Sequence, residues 1–215
     1  MAESLKPAQS SRQGSTIETE IETDLSNDPA VLIEAPTGQP TASTATALPQ
    51  RIVLTGFMGA GKTTVGHLLG KRLGWRFLDV DTEIETATGA TIAQLFQERG
   101  ELWFRQLEHE TIRGLLTSDS VVLALGGGAI EDVRTRNLLL SSNETRLIHL
   151  EVALETVLLR CQGTESIRPI LQDQANLERR YLYRLPLYRE SHLTLAADSL
   201  SPTAIVDAIL DGIRI

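Results

Sequence analysis

From Arg51 onward the chain alternates between short apolar runs and longer stretches in which apolar residues recur every three or four positions. The short runs are typical of buried strands, and the longer stretches have the period of amphipathic helices. Strands that alternate with helices indicate a parallel sheet with helices on both faces, which is the doubly wound α/β class. The pattern predicts five strands, at 51–55, 76–80, 121–124, 146–150 and 192–196.

Helices are predicted between these strands and after the last of them. A polar stretch through 162–174 interrupts the helical pattern. The predicted helices lie at about 62–73, 81–88, 91–99, 101–117, 131–141, 152–161 and 175–185, with a last one from about Pro202.

The first 50 residues differ in composition from the rest of the chain. They are rich in Ser, Thr, Ala, Pro and Gln, and their seven acidic and two basic residues give a net charge of −5. Such a segment cannot bury enough apolar surface to offset the entropy lost on ordering. We therefore predict a disordered acidic tail over 1–49 and a folded domain over 50–215. A chloroplast transit peptide is the alternative, but transit peptides contain few acidic residues.

The whole chain is acidic, with 28 acidic and 20 basic residues and a formal net charge of −8. This balance argues against nucleic acid or an anionic membrane as a partner, because both bind basic surfaces. A single cysteine, Cys161, excludes an internal disulfide and argues against a structural zinc site. No apolar run is long enough to span a membrane, and the first residues lack the features of a secretory signal. These observations predict a cytoplasmic protein.

A phosphate-binding loop follows the first predicted strand. Residues 56–63, GFMGAGKT, match G-x-x-x-x-G-K-[ST] at every fixed position and lie between a strand and a helix. The loop's N–H groups and the helix N-terminus can hold phosphate oxygens, so the sheet is predicted to be of the P-loop NTPase type. Lys62 is expected to reach the β- and γ-phosphates, and the Thr63 hydroxyl to join a magnesium shell. The predicted nucleotide-binding residues in this loop are Gly59, Ala60, Gly61, Lys62, Thr63 and Thr64.

Two aspartates, Asp79 and Asp81, lie at the end of the second predicted strand. Residues two apart on a strand share a face, so both carboxylates are expected to point into one space. That space is the ligand crevice at the end of the sheet. Two acids beside a phosphate loop could place magnesium and accept a hydroxyl proton. The alternative for Asp81 is a helix N-cap.

Two further features follow along the chain. Arg105 and Glu108 are three residues apart on a predicted helix, which alone indicates a surface ion pair. Three glycines at 126–128 end the third strand, where they favour close approach of the backbone to a ligand. A flexible turn is the alternative for these glycines.

Together these motifs make the stretch from Arg51 to the C-terminus resemble shikimate kinase. The spacing from Arg105 and Glu108 to the triple glycine is more specific than the phosphate loop. The resemblance implies a fold like that of the nucleoside monophosphate kinases, with a mobile lid over about 161–174. The resemblance covers about three quarters of the chain. The motifs that carry it are GFMGAGKTTVG at 56–66, DVD at 79–81, FRQLE at 104–108, LALGGGAI at 123–130, RPIL at 168–171 and RLPLY at 184–188.

The resemblance also implies roles for individual side chains. Asp79 would hold magnesium through water, and Asp81 would contact the acceptor hydroxyls and act as the base. Arg105 and Arg184 would grip the shikimate carboxylate, for which a guanidinium fork is well suited. Glu108 would orient Arg105.

The remaining implied roles concern the acceptor-binding backbone and the lid. Gly127 and Gly128 would contact the acceptor beside the two arginines. Arg168 would lie on the lid, bind nucleotide and approach the transferring phosphoryl group, which makes it catalytic together with Lys62 and Asp81. Arg160 is a candidate for contact on the adenine side.

The predicted reaction converts ATP and shikimate to ADP and shikimate 3-phosphate, with Mg²⁺ as cofactor. The partners expected are these two substrates alone, without nucleic acid or membrane, and the enzyme is expected to be a monomer. One alternative is a gluconate or nucleotide kinase with the same fold, because fold alone does not identify the acceptor. A second is a non-catalytic kinase-like module, which should have lost Lys62, Asp81 or Arg168; all three are present.

Overall fold

The computed structural model describes residues 49–163 and 173–213. Its strands form one sheet in the order β2-β3-β1-β4-β5, and every strand pair is parallel. The predicted five-stranded parallel α/β class is confirmed. The predicted tail, except Pro49, and the lid residues 164–172 lie outside the described residues. The strands are β1 (Arg51–Thr55), β2 (Arg76–Asp79), β3 (Val121–Ala124), β4 (Thr145–Glu151) and β5 (Leu193–Ala196).

The helices agree with the predicted ones to within a few residues at each end. A short 3-10 turn, Ala129–Glu131, precedes the fifth of them. In the part of the chain that the structure describes, no helix has the length and apolar character needed to cross a membrane. The helices are α1 (Lys62–Leu73), α2 (Val80–Thr88), α3 (Ile92–Arg99), α4 (Glu101–Leu115), α5 (Val133–Leu140), α6 (Leu154–Cys161), α7 (Gln174–Tyr188) and α8 (Pro202–Gly212).

The core is centred on β1, which lies between β3 and β4. Ile52, Val53 and Leu54 are completely buried. Consecutive residues are apolar here because helices cover both faces of a parallel sheet, so neither face can be polar. Helix α1 packs closely on β2, and a Cβ at Gly66 would lie only 2.2 Å from the ring of Phe77.

Helix α7 continues three residues beyond its predicted end. Pro186, just after the predicted end at 185, cannot donate a helical hydrogen bond. The helix nevertheless runs to Tyr188, whose buried ring stacks on His149 with the ring centroids 5.0 Å apart. Burying a large apolar side chain contributes about 1.5–3 kcal/mol, which offsets much of the ~3 kcal/mol cost of a helical proline.

The carboxyl ends of β1, β2 and β3 meet at one edge of the sheet. The phosphate loop follows β1, Asp79 ends β2, and the glycines at 126–128 follow β3. From β1 the chain crosses to β2 on one side and later to β4 and β5 on the other. This edge beside β1 is where sheets of this class bind ligands.

Candidate active site

The phosphate loop is held open by glycine conformations and by its lysine. Gly59 and Gly61 have φ values of +73° and +93°, which side chains of L-residues rarely adopt. The Lys62 ammonium donates to the Gly56 carbonyl at 2.8 Å and to the Phe57 carbonyl at 3.1 Å. Helix α1 begins at Lys62 without a side-chain cap. A helix N-terminus at a loop of this kind can hold an anion through backbone N–H groups and partial positive charge.

Asp79 and Asp81 both line the space beside this loop, but not for the reason that the sequence indicated. Strand β2 ends at Asp79, and Asp81 lies in the first turn of α2, so the strand-face argument is wrong for Asp81. The N-cap alternative for Asp81 is also wrong, because Asp79 occupies the N-cap position. The Asp79 side chain makes no cap bond; its Oδ2 accepts from the Thr63 hydroxyl at 3.0 Å.

Burial raises the pKa of the Asp81 carboxyl, and the negative charge of Asp79 raises it further. Lys62 and Arg105 act in the opposite direction without reversing the shift. A carboxylate with a raised pKa binds a proton more strongly than an ordinary aspartate does. Asp81 is therefore suited to accept a proton from a bound hydroxyl.

Arg105 is fixed by carboxylates on its own helix. Its guanidinium donates to Glu108 at 2.8 Å and to Glu101 at 3.2 Å. Glu108 is 2% exposed, and burial raises the pKa of its carboxyl to about 7 although Arg105 opposes the shift. The ion pair is thus largely buried, and not the surface pair that the i, i+3 spacing alone indicates.

Arg184 approaches the same region from α7. It is 7% exposed, its Nε donates to Glu131 Oε1 at 2.6 Å, and its guanidinium carbon lies 5.8 Å from the centre of the Phe57 ring. The Tyr188 hydroxyl, one helical turn further on, donates to the Gly127 carbonyl at 2.5 Å.

The three glycines after β3 face three polar side chains in succession. A Cβ at Gly126 would lie 2.6 Å from Asp81 Oδ1, and one at Gly128 would lie 2.3 Å from Arg105. Gly127 leaves ordinary contact distance, 3.6 Å, to the nearest guanidinium nitrogen of Arg184. None of the three has a positive φ. A side chain at 126 or 128 would have to displace the end of Asp81 or Arg105, an explanation for the glycines that the sequence prediction did not include.

These groups surround one open cleft of about 880 Å³. Arg105 lies behind Gly128 and does not itself line the cleft. Arg168, the predicted lid residue, lies outside the described residues. The predicted site residues that line the cleft are Gly59, Ala60, Gly61, Lys62, Thr63, Thr64, Asp79, Asp81, Gly127, Gly128 and Arg184.

The other end of the cleft is apolar, and the sequence did not predict the residues that form it. Leu200, Pro202 and Ile205, around the start of α8, line it together with Arg160. Arg160 donates to the backbone carbonyls of Gly59, Ala197 and Asp198. The apolar residues resemble ordinary core residues in the sequence, and only the packing of α8 beside the phosphate loop brings them to the cleft.

The oxygen ligands beside the loop are suited to Mg²⁺. A hydroxyl and a carboxylate, from Thr63 and Asp79, lie within hydrogen-bonding distance at the mouth of the loop, and hard oxygen donors are what this ion prefers. Among the described residues, no group of three or more His, Cys, Asp or Glu side chains is arranged to hold a metal by itself. The arrangement fits an ion held mainly by nucleotide phosphates and water, as is usual for Mg²⁺.

A parallel sheet with a phosphate loop, two acids, one buried arginine and one half-buried arginine at a single cleft defines a P-loop kinase of a small molecule. The family model for shikimate kinase matches residues 58–214. A shikimate kinase of Persephonella marina is 38% identical over 77% of this chain and 99% of its own length. This chain therefore belongs to the shikimate kinase family.

Solved structures give the same relationship. A shikimate kinase from Acinetobacter baumannii in complex with shikimate is 38% identical, with a TM-score of 0.70, over 78% of this chain and 93% of that one. A gluconokinase from Sinorhizobium meliloti is 17% identical, with a TM-score of 0.50, over 77% of this chain and 92% of that one, which shows a shared fold alone.

Proposed function

We propose that this enzyme transfers the γ-phosphoryl group of ATP to shikimate, giving ADP and shikimate 3-phosphate. Family membership supports the reaction class and the acceptor. The observation that carries the assignment to this site is the glycine turn at 126–128, which is contacted in succession by Asp81, Arg184 and Arg105. One acid for a hydroxyl and two arginines for a carboxylate suit a hydroxylated ring acid.

The nucleotide is proposed to bind along the phosphate loop with its base toward the apolar end of the cleft. The N–H groups of the loop and of the first turn of α1 would hold the phosphate oxygens. Lys62 would leave its carbonyl partners to contact the β- and γ-phosphates. Thr63 and Asp79 would hold Mg²⁺, which when bound neutralises charge on the phosphate oxygens.

For the transfer, Asp81 is proposed to take the proton of the acceptor hydroxyl while that oxygen forms the new bond to the γ-phosphorus. The bond from this phosphorus to the β–γ bridging oxygen breaks, and ADP leaves with the electron pair. The protein mainly positions these groups and balances their charge. Arg168 is proposed to approach the transferring group from the lid.

We also propose that the enzyme is a cytoplasmic monomer whose acidic tail, 1–49, takes no part in the site. The acidic, polar composition of residues 1–49 supports the proposal for the tail, because such a segment can bury little apolar surface.

The acceptor is tested by measuring ADP release with shikimate, gluconate and nucleoside monophosphates as alternative acceptors. We expect kcat/KM for shikimate to exceed that for the others by at least about 10³-fold, because an acceptor that leaves buried charged groups unpaired is rejected strongly. Equal or faster turnover of gluconate would identify gluconate as the acceptor, and the enzyme would still be a kinase.

Gly128→Ala should weaken acceptor binding more than it destabilises the fold. The new methyl group overlaps Arg105 at 2.3 Å, but the overlapped atoms are the end of a flexible side chain that can move away. We expect the KM for shikimate to rise about tenfold or more and the KM for ATP to stay unchanged. The free energy of unfolding should fall by at most about 1–2 kcal/mol.

The matched control for this substitution is Gly114→Ala on α4, the helix that carries Arg105. Nothing lies within 4 Å of a Cβ at Gly114, so the KM for shikimate should not change. An unchanged KM in Gly128→Ala would show that Arg105 does not contribute to acceptor binding from its observed position.

A further inference from the structure

Glu131 is a carboxylate that has no part in the proposed transfer; it lines a second, smaller cavity, which shares Arg184 with the cleft. It ends the 3-10 turn after the triple glycine, and its N–H donates to the Gly128 carbonyl at 3.0 Å. Its Oε1 accepts from the Arg184 Nε at 2.6 Å across 53 residues of sequence. The Glu131 side chain is 25% exposed, whereas that of Arg184 is 9% exposed.

The contacts of Arg184 divide its guanidinium between two sides. The Nε side faces Glu131, and the nearest terminal nitrogen lies 3.6 Å from the Cβ position of Gly127 in the cleft wall. The Phe57 ring lies 5.8 Å from the guanidinium carbon. Glu131 fixes the rotation of the planar group at Nε, and the Tyr188 hydroxyl is a second polar partner of Arg184. The aromatic face restrains the position of the guanidinium but not its donor directions.

The charge of Glu131 also reaches the other acceptor arginine. Burial lowers the pKa of the Arg105 guanidinium, but Glu108, Glu131 and Glu101 raise it by more, so the net shift is upward. Glu131 therefore hydrogen-bonds one arginine and acts electrostatically on the other.

We infer that Glu131 is a positioning residue that holds Arg184 by its Nε so that the terminal nitrogens face the carboxylate of the acceptor. The inference rests on the proposed function, because it assumes that Arg184 binds this carboxylate. Glu131 touches no reacting atom, and its effect should fall on acceptor binding and not on the transfer step. Preorganising a long side chain before the ligand arrives removes part of the entropy cost of binding.

Two other roles for Glu131 predict different outcomes. A surface ion pair would contribute little, since exposed pairs contribute at most about 1 kcal/mol to stability and nothing specific to a ligand. An internal competitor would occupy Arg184 and be displaced by the acceptor carboxylate, so its removal would tighten binding. The 2.6 Å bond to Nε favours positioning because it leaves the cleft side of the guanidinium to the acceptor.

The experiment compares steady-state kinetics of the full chain with those of Glu131→Ala and Glu131→Gln. We expect Glu131→Ala to raise the KM for shikimate about tenfold, with kcat within about threefold and the KM for ATP unchanged. Glu131→Gln should recover most of the loss, because its amide oxygen can still accept from Nε. The matched control is Glu144→Ala, which removes a carboxylate paired with Arg51 at 2.9 Å outside the cleft.

The outcomes separate this inference from the proposed function. If the parent enzyme does not phosphorylate shikimate, the proposed function fails. If the parent is active and Glu131→Ala has an unchanged KM for shikimate, Glu131 forms an ion pair without a positioning role. A lower KM would identify the competitor, and an equal fall in kcat and kcat/KM would place Glu131 in the transfer step. If Glu131→Ala does not fold, the isosteric Glu131→Gln decides: a KM within about threefold of the parent is expected, and a tenfold rise overturns the inference.

Discussion

Lys62→Ala is expected to lower kcat by about 10³-fold or more, with an unchanged fold. The ammonium would stabilise the negative charge that develops on the phosphate leaving group. Removing one hydrogen-bond donor to such a charge commonly lowers the rate by about 10²–10³-fold, and loss of the positive charge should lower it further. In the structure Lys62 donates to the backbone carbonyls of Gly56 and Phe57 in the phosphate loop. We therefore expect the free energy of unfolding to change by no more than about 1–2 kcal/mol.

The control for this substitution is Lys71→Ala, which removes the same charge from the last turn of the same helix at an exposed position. Turnover and melting temperature are measured for both variants and the parent. Activity retained in Lys62→Ala would remove the phosphate-loop lysine from the mechanism. A large loss of stability would show that its bonds to the loop carbonyls are structural.

The sequence predicts the sheet and the phosphate loop because both depend on local patterns. Apolar runs such as the one in β1 identify buried parallel strands. The phosphate loop needs glycines, a lysine and a hydroxyl at fixed spacing, all within eight residues. Tertiary structure adds little information to either.

The positions of Asp79 and Asp81 show where local reasoning was insufficient. Both line the cleft as expected, yet the helix begins one residue after the strand ends, so the alternation of a strand does not reach Asp81. Its direction is set by the first turn of α2. A boundary error of one or two residues was enough to make the geometric reason wrong while the shared location remained right.

The support of the acceptor arginines was not predictable from the sequence. Arg184 meets Glu131 across 53 residues, and the Tyr188 hydroxyl meets the Gly127 carbonyl across 61. Neither contact has a spacing signal, since each depends on α7 packing against the turn after β3. The glycines at 126 and 128 also depend on long-range packing, because Asp81 on α2 and Arg105 on α4 lie against the backbone there.

Arg105→Ala and Arg184→Ala should each weaken acceptor binding by about 2–5 kcal/mol, while ATP affinity changes little. Each substitution leaves a carboxylate in the cleft short of one charged partner, and truncating one member of a buried pair costs this much. Binding is measured by calorimetry for the parent, both single variants and the double variant. The matched controls are Arg113→Ala on α4 and Arg189→Ala after α7, whose ion pairs are exposed at the surface.

The double variant distinguishes one shared ligand group from two separate contacts. If both arginines hold the same carboxylate, the two losses should not add, because the second removal acts on a group that is already poorly bound. Additive losses would indicate separate parts of the acceptor, as expected for a larger sugar acid or a nucleotide. Unchanged shikimate affinity in both single variants would overturn the assignment of this acceptor, while the loss of turnover in Lys62→Ala would still define a P-loop kinase.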